Sequence, residues 1–259
     1  MNLALQFAFV SSTALLWDQA VTRLLHERFS EDERLSYILV HVPDGEVVDA
    51  RWPQSETPVS VGSLVKPFTA VAYGEAHQFR YPRFTCRGTA SACWLPDGHG
   101  NLGIREAIAQ SCNAYFDALS AELRLSDLAA VAKRFSIAPP PEDAPAIAYT
   151  GRAGLWQIAP LDIARAYARL AFDPDAVVSR AGMAESARAG TARALRDGLA
   201  KTGTAPCSHH PAAPGDGYAV ALDRVDAPTY VLLVRVHGVP GAEAAATAAR
   251  IMRIVREGR

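Results

Sequence analysis

Segments with strand-like composition lie near both ends of this 259-residue chain, and the residues between them carry mainly helical patterns. A sheet that draws strands from both ends brings the two ends of the chain together and leaves the middle as a separate lobe. This order predicts an α+β fold, with a five-stranded antiparallel sheet flanked by N- and C-terminal helices, plus an all-helical lobe. A cleft between sheet and lobe is the natural ligand site. The strands are expected at residues 35–42, 46–52, 201–205, 218–222 and 230–236.

We expect residues 1–259 to form a single domain, since neither end supplies a complete sheet alone. Its α/β subdomain would comprise approximately residues 1–62 and 200–259, and its helical subdomain approximately residues 63–199. The helices are expected at residues 12–29, from 63 onward, and at 104–110, 114–123, 126–135, 160–171, 184–199 and 242–256. The apolar face expected for the first helix consists of Leu15, Leu16, Val21, Leu24 and Leu25.

The net charge of −1 gives no electrostatic reason to expect nucleic acid or an anionic membrane as a partner. Residues 3–17 are mostly apolar but are interrupted by Gln6 and by three hydroxyl residues, so they are too short and broken for a membrane span. A secretory signal begins with basic residues, whereas the first basic residue here is Arg23. This segment is therefore expected to belong to the fold, with a degenerate or clipped export signal as the alternative.

Lysine is rare in this chain: of its 26 lysine and arginine residues, only Lys66, Lys133 and Lys201 are lysine. Arginine stays protonated under all ordinary conditions, whereas a buried lysine can lose its proton. Two of the three lysines stand in short polar motifs, whereas Lys133 has no motif around it and is expected to be an ordinary solvated charge. The motifs are Ser63-Leu64-Val65-Lys66, Ser111-Cys112-Asn113 and Lys201-Thr202-Gly203-Thr204.

These motifs contain the parts of an acyl-transfer site. Ser63 at a helix start is a candidate nucleophile, and Lys66 lies one turn later on the same helix face. A lysine acts as a base only when burial and a second cation lower its pKa, and Lys201 can supply that cation. Ser111 can relay a proton, while Asn113 can hold Lys66 and a substrate amide.

The third motif offers groups for a substrate. Thr202 and Thr204 carry hydroxyls, and the Thr204 N–H is a candidate oxyanion donor. Each motif alone carries little weight, because SxxK is common on helices and KTG is common in turns. Their order and spacing, with 48 residues from Ser63 to Ser111 and 90 from Ser111 to Lys201, make coincidence improbable.

The flanking residues resemble those of penicillin-binding protein transpeptidase domains. Residues 62–68 are similar to the GSxxKPF box, residues 107–116 to the AxxxSCNxYF segment, and residues 155–170 to the TPLQLAxAYAxLA helix. Lys201-Thr202-Gly203-Thr204-Ala205 completes the set. The resemblance covers roughly residues 50–237 and does not extend to the pedestal domain of that family.

The resemblance implies a function and a role for each motif residue. Ser63 would be the acylated nucleophile, with Lys66 as general base and Ser111 and Lys201 as further catalytic residues. Substrate would bind at Asn113, Thr202, Gly203 and Thr204. The substrates implied are D-Ala-D-Ala-type peptidoglycan stem peptides, and β-lactams would be covalent inhibitors. The resemblance implies no cofactor. It also implies a periplasmic or other extracytoplasmic location and an envelope protein partner of unknown identity.

Three alternatives remain: a β-lactamase, a non-catalytic β-lactam sensor or scaffold, and an esterase or aminopeptidase relative. One class of β-lactamase needs a glutamate followed shortly by an asparagine to position the deacylating water. Glu142 is the only glutamate in the expected loop, and position 146 is alanine. That hydrolytic route therefore lacks its parts, and a slowly deacylating enzyme is favoured.

The four cysteines permit several arrangements. Cys86 and Cys93 flank a turn of small residues, so they are a possible disulfide that would fit an oxidising compartment, and two free thiols are equally compatible. Cys207 lies close to His209 and His210, but this spacing matches no common zinc site. No metal site is expected.

Overall fold

The computed structural model of the protein describes residues 3–42, 44–207 and 215–257. Its principal sheet has five strands in the order β2-β1-β9-β8-β7, and each neighbouring pair is antiparallel. The expected α+β fold is confirmed. The strands are β1 (Leu35–His41), β2 (Val47–Arg51), β3 (Val59–Ser60), β4 (Phe84–Cys86), β5 (Gly100–Leu102), β6 (Gln157–Ile158), β7 (Leu199–Ala205), β8 (Asp216–Leu222) and β9 (Tyr230–Val236).

Helices cover both faces of this sheet, so its central strands are buried almost throughout. Along β1, Ile38 and Val40 join the core shared with the helical lobe, whereas Tyr37 and Leu39 join the core beneath the first and last helices. This alternation follows from the two-residue period of a strand. The helices are α1 (Leu3–Phe29), α2 (Lys66–Ala76), α3 (Ile104–Ala109), α4 (Asn113–Ser120), α5 (Leu125–Phe135), α6 (Pro160–Leu170), α7 (Val177–Ala189) and α8 (Gly241–Glu257).

Two helical expectations require correction. Leu15 and Leu16 are 59% and 66% exposed, whereas Val21 and Leu25 are fully covered, because among the described side chains of α1 those from Trp17 onward provide the face that packs on the sheet. Helix α7 ends at Ala189 rather than near residue 199, because the chain turns at Gly190 to reach the end of α3 beside the second motif. None of the helices in the described parts of the chain combines the length and apolarity that crossing a membrane requires.

Two glycines bring three distant segments into backbone contact. Gly62 and Gly151 both have positive φ angles, +56° and +78°. A Cβ atom on Gly151 would lie 1.9 Å from the carbonyl oxygen of Gly62, and one on Gly62 would lie 2.3 Å from that of Thr204. Only glycine permits both the backbone conformation and this approach. The first motif, the turn at residue 151 and strand β7 are thereby packed into one unit.

We expect Gly151→Ala to lower the free energy of unfolding by about 2 kcal/mol or more, because it combines backbone strain with a steric clash. Gly100→Ala is the matched control, since Gly100 has a φ of +67° but an added Cβ atom would meet nothing within 4 Å. Gly100→Ala should lower the free energy of unfolding by only about 1 kcal/mol, because it adds backbone strain without a clash. Denaturant unfolding measures both values, and equal losses would contradict the close approach at Gly151.

Candidate active site

Ser63 lies in a 3₁₀ turn, Gly62–Val65, which leads directly into α2. The sequence predicted a helix start here, and the structure places this tighter turn before it. The Tyr167 hydroxyl donates to the Leu64 carbonyl at 2.7 Å, and the Ser179 hydroxyl donates to the Pro67 carbonyl at 2.9 Å. These bonds hold the turn in place and leave Ser63 half-buried at the cleft surface.

Lys66 is completely buried and contacts the second motif. Its Nζ donates to the side-chain oxygen of Asn113 at 2.7 Å and to the Ser111 carbonyl at 2.9 Å. Burial lowers the pKa of Lys66 to about 8, because the charged form loses its hydration. The neutral, proton-accepting form is therefore a minority at pH 7 and predominates above about pH 8.

Lys201 approaches the same serine from strand β7. Its Nζ donates to the Ser111 hydroxyl at 2.7 Å and to the Thr202 carbonyl at 2.6 Å. Burial, and then the positive charge of Lys66, hold the pKa of Lys201 well below its usual range. Ser111 thus bridges the two lysines, with its carbonyl on one and its hydroxyl on the other. Its φ of +52° gives the junction between α3 and α4 the sharp bend that presents both groups.

The threonines of the third motif are held by residues that the sequence did not single out. The Thr202 hydroxyl donates to that of Thr191 at 2.6 Å, and the Gly241 N–H donates to the Thr204 hydroxyl at 3.0 Å. Thr191 follows the end of α7, and its N–H donates to the Ala109 carbonyl at 3.1 Å. No sequence motif marks Thr191, because its role arises only when α7 packs on α3.

The three motifs converge on a cleft with a volume of ≈ 360 Å³. Every motif residue assigned by sequence lies at this cleft or bonds to its lining. Among the described residues, the lining contains no aspartate or glutamate. The described lining consists of Ser63, Trp94, Ser111, Asn113, Gly151, Arg152, Ala153, Gly154, Thr191, Thr202, Gly203, Thr204, Pro206, Pro240, Gly241 and Ala242.

Arg152 adds a cation at the edge of this cleft that the sequence did not indicate. Its guanidinium donates to Asp117, which lies one turn beyond Asn113 in α4. Burial raises the pKa of Asp117, although Arg152 opposes that shift. Lys66, Lys201 and Arg152 place the nitrogen donors of three basic side chains at or just beneath the cleft, which suits an anionic ligand.

Cys86 and Cys93 are free thiols, so the possible disulfide between them is not formed in the structure. Their sulfurs instead approach Nδ1 of His99, at 3.6 and 3.5 Å, and the sulfur of Cys93 lies 3.8 Å from that of Cys112. The turn at residues 88–91 folds both thiols inward onto the histidine rather than onto each other. Cys112 belongs to the second motif, so this cluster adjoins the active site.

These four residues form a candidate zinc site that was not expected from their spacing. Their ligand atoms lie within 4.8 Å of one another, and three thiolates with one imidazole are a usual ligand set for structural zinc. Burial, together with the charge of Lys66, lowers the pKa of His99 and favours the neutral imidazole that binds metal. Burial opposes ionisation of Cys93, but surrounding backbone N–H groups outweigh it and lower the pKa of this thiol.

Among known protein families, residues 39–176 match the penicillin binding protein transpeptidase domain. The match covers just over half of the chain, and the chain belongs to this family. It is therefore an enzyme domain of the penicillin-binding, serine acyltransferase kind. Comparison with curated proteins gave no match.

Solved structures support the same fold. PBP2 of Pseudomonas aeruginosa in complex with WCK 5153 has a TM-score of 0.77 at 17% identity, with 92% of this chain and 75% of that one covered. PBP2 of Helicobacter pylori in complex with MreC also has a TM-score of 0.77, at 16% identity, covering 92% and 62%. A chain of a peptidoglycan synthase complex has a TM-score of 0.72 at 18% identity, covering 95% and 60%. The chain thus spans about three fifths to three quarters of these proteins.

We expect the purified chain to retain one zinc ion that Cys93→Ser removes, because the substitution takes a ligand from a site rich in thiolates. Metal analysis after exhaustive dialysis gives the stoichiometry. His77→Gln is the control and should keep this ion, since His77 belongs to neither group of candidate ligands among the described residues. Equal zinc content in all three proteins would contradict the assignment.

Proposed function

We propose that this chain is a D,D-transpeptidase or D,D-carboxypeptidase that acts on D-Ala-D-Ala-type peptidoglycan stem peptides through an acyl-enzyme on Ser63. The observation that carries this proposal is the position of two buried lysines on either side of Ser111, beside a half-buried serine in a cleft. Such an arrangement supplies a nucleophile, a base with a lowered pKa and a route for the proton.

Lys66 is the proposed general base. A neutral amine has two hydrogens and one lone pair, and the two hydrogens of Lys66 can be used by Asn113 and the Ser111 carbonyl. The lone pair is then left for the Ser63 hydroxyl. As Ser63 Oγ attacks the peptide carbonyl carbon, Lys66 accepts the hydroxyl proton, and a tetrahedral oxyanion forms.

Collapse of this intermediate breaks the peptide bond and releases the terminal D-alanine. The leaving nitrogen needs a proton, and the Ser111 hydroxyl, which accepts a hydrogen bond from Lys201, is the proposed relay. The acyl group then passes from Ser63 either to an amine, which gives a crosslink, or to water, which gives a shortened peptide. The N–H groups of Ser63 and Thr204 are the proposed oxyanion donors.

Recognition of the substrate carboxylate is assigned to the third motif. Lys201 lies buried behind the cleft wall and supplies positive charge in its protonated form, and Thr202, Gly203 and Thr204 form the wall itself. The absence of carboxylates from the described lining favours an anionic ligand, because a buried anion is stabilised by cations and donors. The carboxylate end of a peptide, or that of a β-lactam, has this chemistry.

Slow deacylation is expected in preference to β-lactamase turnover. A hydrolase of the glutamate-dependent kind needs a carboxylate near the acyl bond to activate water. Glu142 is exposed and is not among the described residues that line the cleft. A sensor or scaffold would share acylation but would not process peptide, so turnover of a D-Ala-D-Ala peptide separates it from the enzyme.

Location and partners are inferred from the family. Peptidoglycan stem peptides lie outside the cytoplasm, so the proposed activity requires a periplasmic or other extracytoplasmic location. The neighbour bound to MreC and the neighbour from a peptidoglycan synthase complex support a protein partner in the envelope. Its identity is left open, since this chain covers only part of either protein.

We expect penicillin to form a covalent adduct that Ser63→Ala abolishes, because the substitution removes the attacking oxygen. Intact-mass spectrometry detects the adduct, and following its mass over hours measures its release. Ser60→Ala is the matched control, since Ser60 lies three residues earlier and its hydroxyl makes no hydrogen bond to any residue in the described part of the chain. Absence of an adduct at millimolar penicillin would refute the proposal, and rapid turnover of a chromogenic cephalosporin would indicate a β-lactamase.

Replacing Lys66 tests the base directly. Lys66→Arg keeps the charge but removes the releasable proton, so acylation should slow by ~100-fold or more. Lys133→Arg, at an exposed position, should leave the rate unchanged. In the native chain the acylation rate should rise with pH through about 8, since the neutral base predominates above the pKa of Lys66. A rate that is flat over this pH range would argue against Lys66 as the base.

A further inference from the structure

At one edge of the sheet, beside the third motif, the ends of three neighbouring strands bring together a cysteine, an aspartate and a histidine. Cys207 follows the end of β7, Asp216 opens β8, and His237 follows the end of β9. The register accounts for this meeting, because Ala205 pairs with Asp216 while Gly217 pairs with Val236. The ligand atoms of the three side chains lie within 4.8 Å of one another.

The aspartate and histidine are already ordered as a pair. Nδ1 of His237 lies 2.9 Å from Oδ1 of Asp216, whose side chain is only 3% exposed. The His237 backbone N–H donates to the Arg34 carbonyl at 3.0 Å, and this bond holds the backbone of His237 against the residue that precedes β1. A buried carboxylate is costly unless positive charge compensates it. Cys207 is half-buried on the same side, so a ligand can reach the group.

We infer that Cys207, Asp216 and His237 form a second transition-metal site, of the kind that takes Zn²⁺, in which these three described residues fill three of the four coordination positions. One sulfur, one carboxylate oxygen and one imidazole nitrogen suit zinc and not magnesium or calcium, which prefer oxygen alone. Binding would exchange the Cys207 thiol proton for the metal, releasing one proton to solvent. The site requires no part of the proposed peptidase activity.

Metal binding calls for a small adjustment of the side chains. Zinc bonds of 2.0–2.3 Å at tetrahedral angles place ligand atoms roughly 3.5 Å apart. The ligand atoms here all lie within 4.8 Å of one another, and Nδ1 of His237 and Oδ1 of Asp216 are 2.9 Å apart, so the spacing is close to what zinc needs. Cys207 is the residue best placed to make this shift, since it lies beyond the paired part of β7, whereas Asp216 and His237 are held by the bond between them. Pro206 lines the active-site cleft, so a metal on Cys207 would fix that wall.

Alkylation of Cys207 tests this site separately from the other three cysteines. The native chain is treated with iodoacetamide with and without Zn²⁺, and peptide mass mapping reports the rate at Cys207 alone. We expect Zn²⁺ to slow this alkylation at least ~10-fold and Mg²⁺ to have no effect. His237→Gln and Asp216→Asn should each remove most of the protection. His77→Gln, a half-buried histidine in another part of the chain, should retain it.

The outcomes separate a built site from simple thiol binding. An unchanged alkylation rate with Zn²⁺ would overturn the inference, and so would protection that survives in both His237→Gln and Asp216→Asn. His237→Gln is the decisive variant if Asp216→Asn fails to fold, because the His237 side chain is 22% exposed and its replacement leaves the strand pairing intact. Circular dichroism confirms folding of each variant before alkylation.

Discussion

The contact between Ser111 and two buried lysines is the interaction on which the site depends. Burying even one cation is unfavourable, and burying Lys66 and Lys201 together adds their mutual repulsion. The fold offsets this cost with carbonyl and amide acceptors and by letting the amines lose their protons more easily. Arginine cannot make that adjustment, which explains why a chain that otherwise prefers arginine has lysine at these two positions.

Bringing the lysines together requires close backbone packing between segments far apart in sequence. Gly62 and Gly151 allow the first motif to touch both the turn before α6 and strand β7, with no side chain between them. The sheet beneath is packed on both faces, so the KTG strand is presented from a rigid base. The hydroxyl of Tyr167 reinforces the serine turn from the core.

Two thiol-containing clusters flank this centre, one at the second motif and one beyond the third. Cys112 ties the first cluster to Ser111 and Asn113 through the chain itself, while Cys207 ties the second to the cleft wall at Pro206. Metal bound at either place would restrain a segment that carries proposed catalytic or substrate-binding groups. Neither cluster was visible in the spacing of the sequence, because its members come from different strand ends and turns.

The sequence by itself determined the five strands of the principal sheet and the family, because two-residue periodicity and local residue identity are properties of short segments. It also predicted that Lys133 is an ordinary exposed charge. Tertiary structure alone decided that Ser111 bridges the lysines, that Thr191 and Arg152 join the cleft, and that Cys86 and Cys93 face His99 as thiols. It likewise decided that Leu15 and Leu16 are exposed and that α7 ends at Ala189. These outcomes depend on which surfaces meet in three dimensions, and no local pattern encodes contacts between residues as far apart as 90 positions.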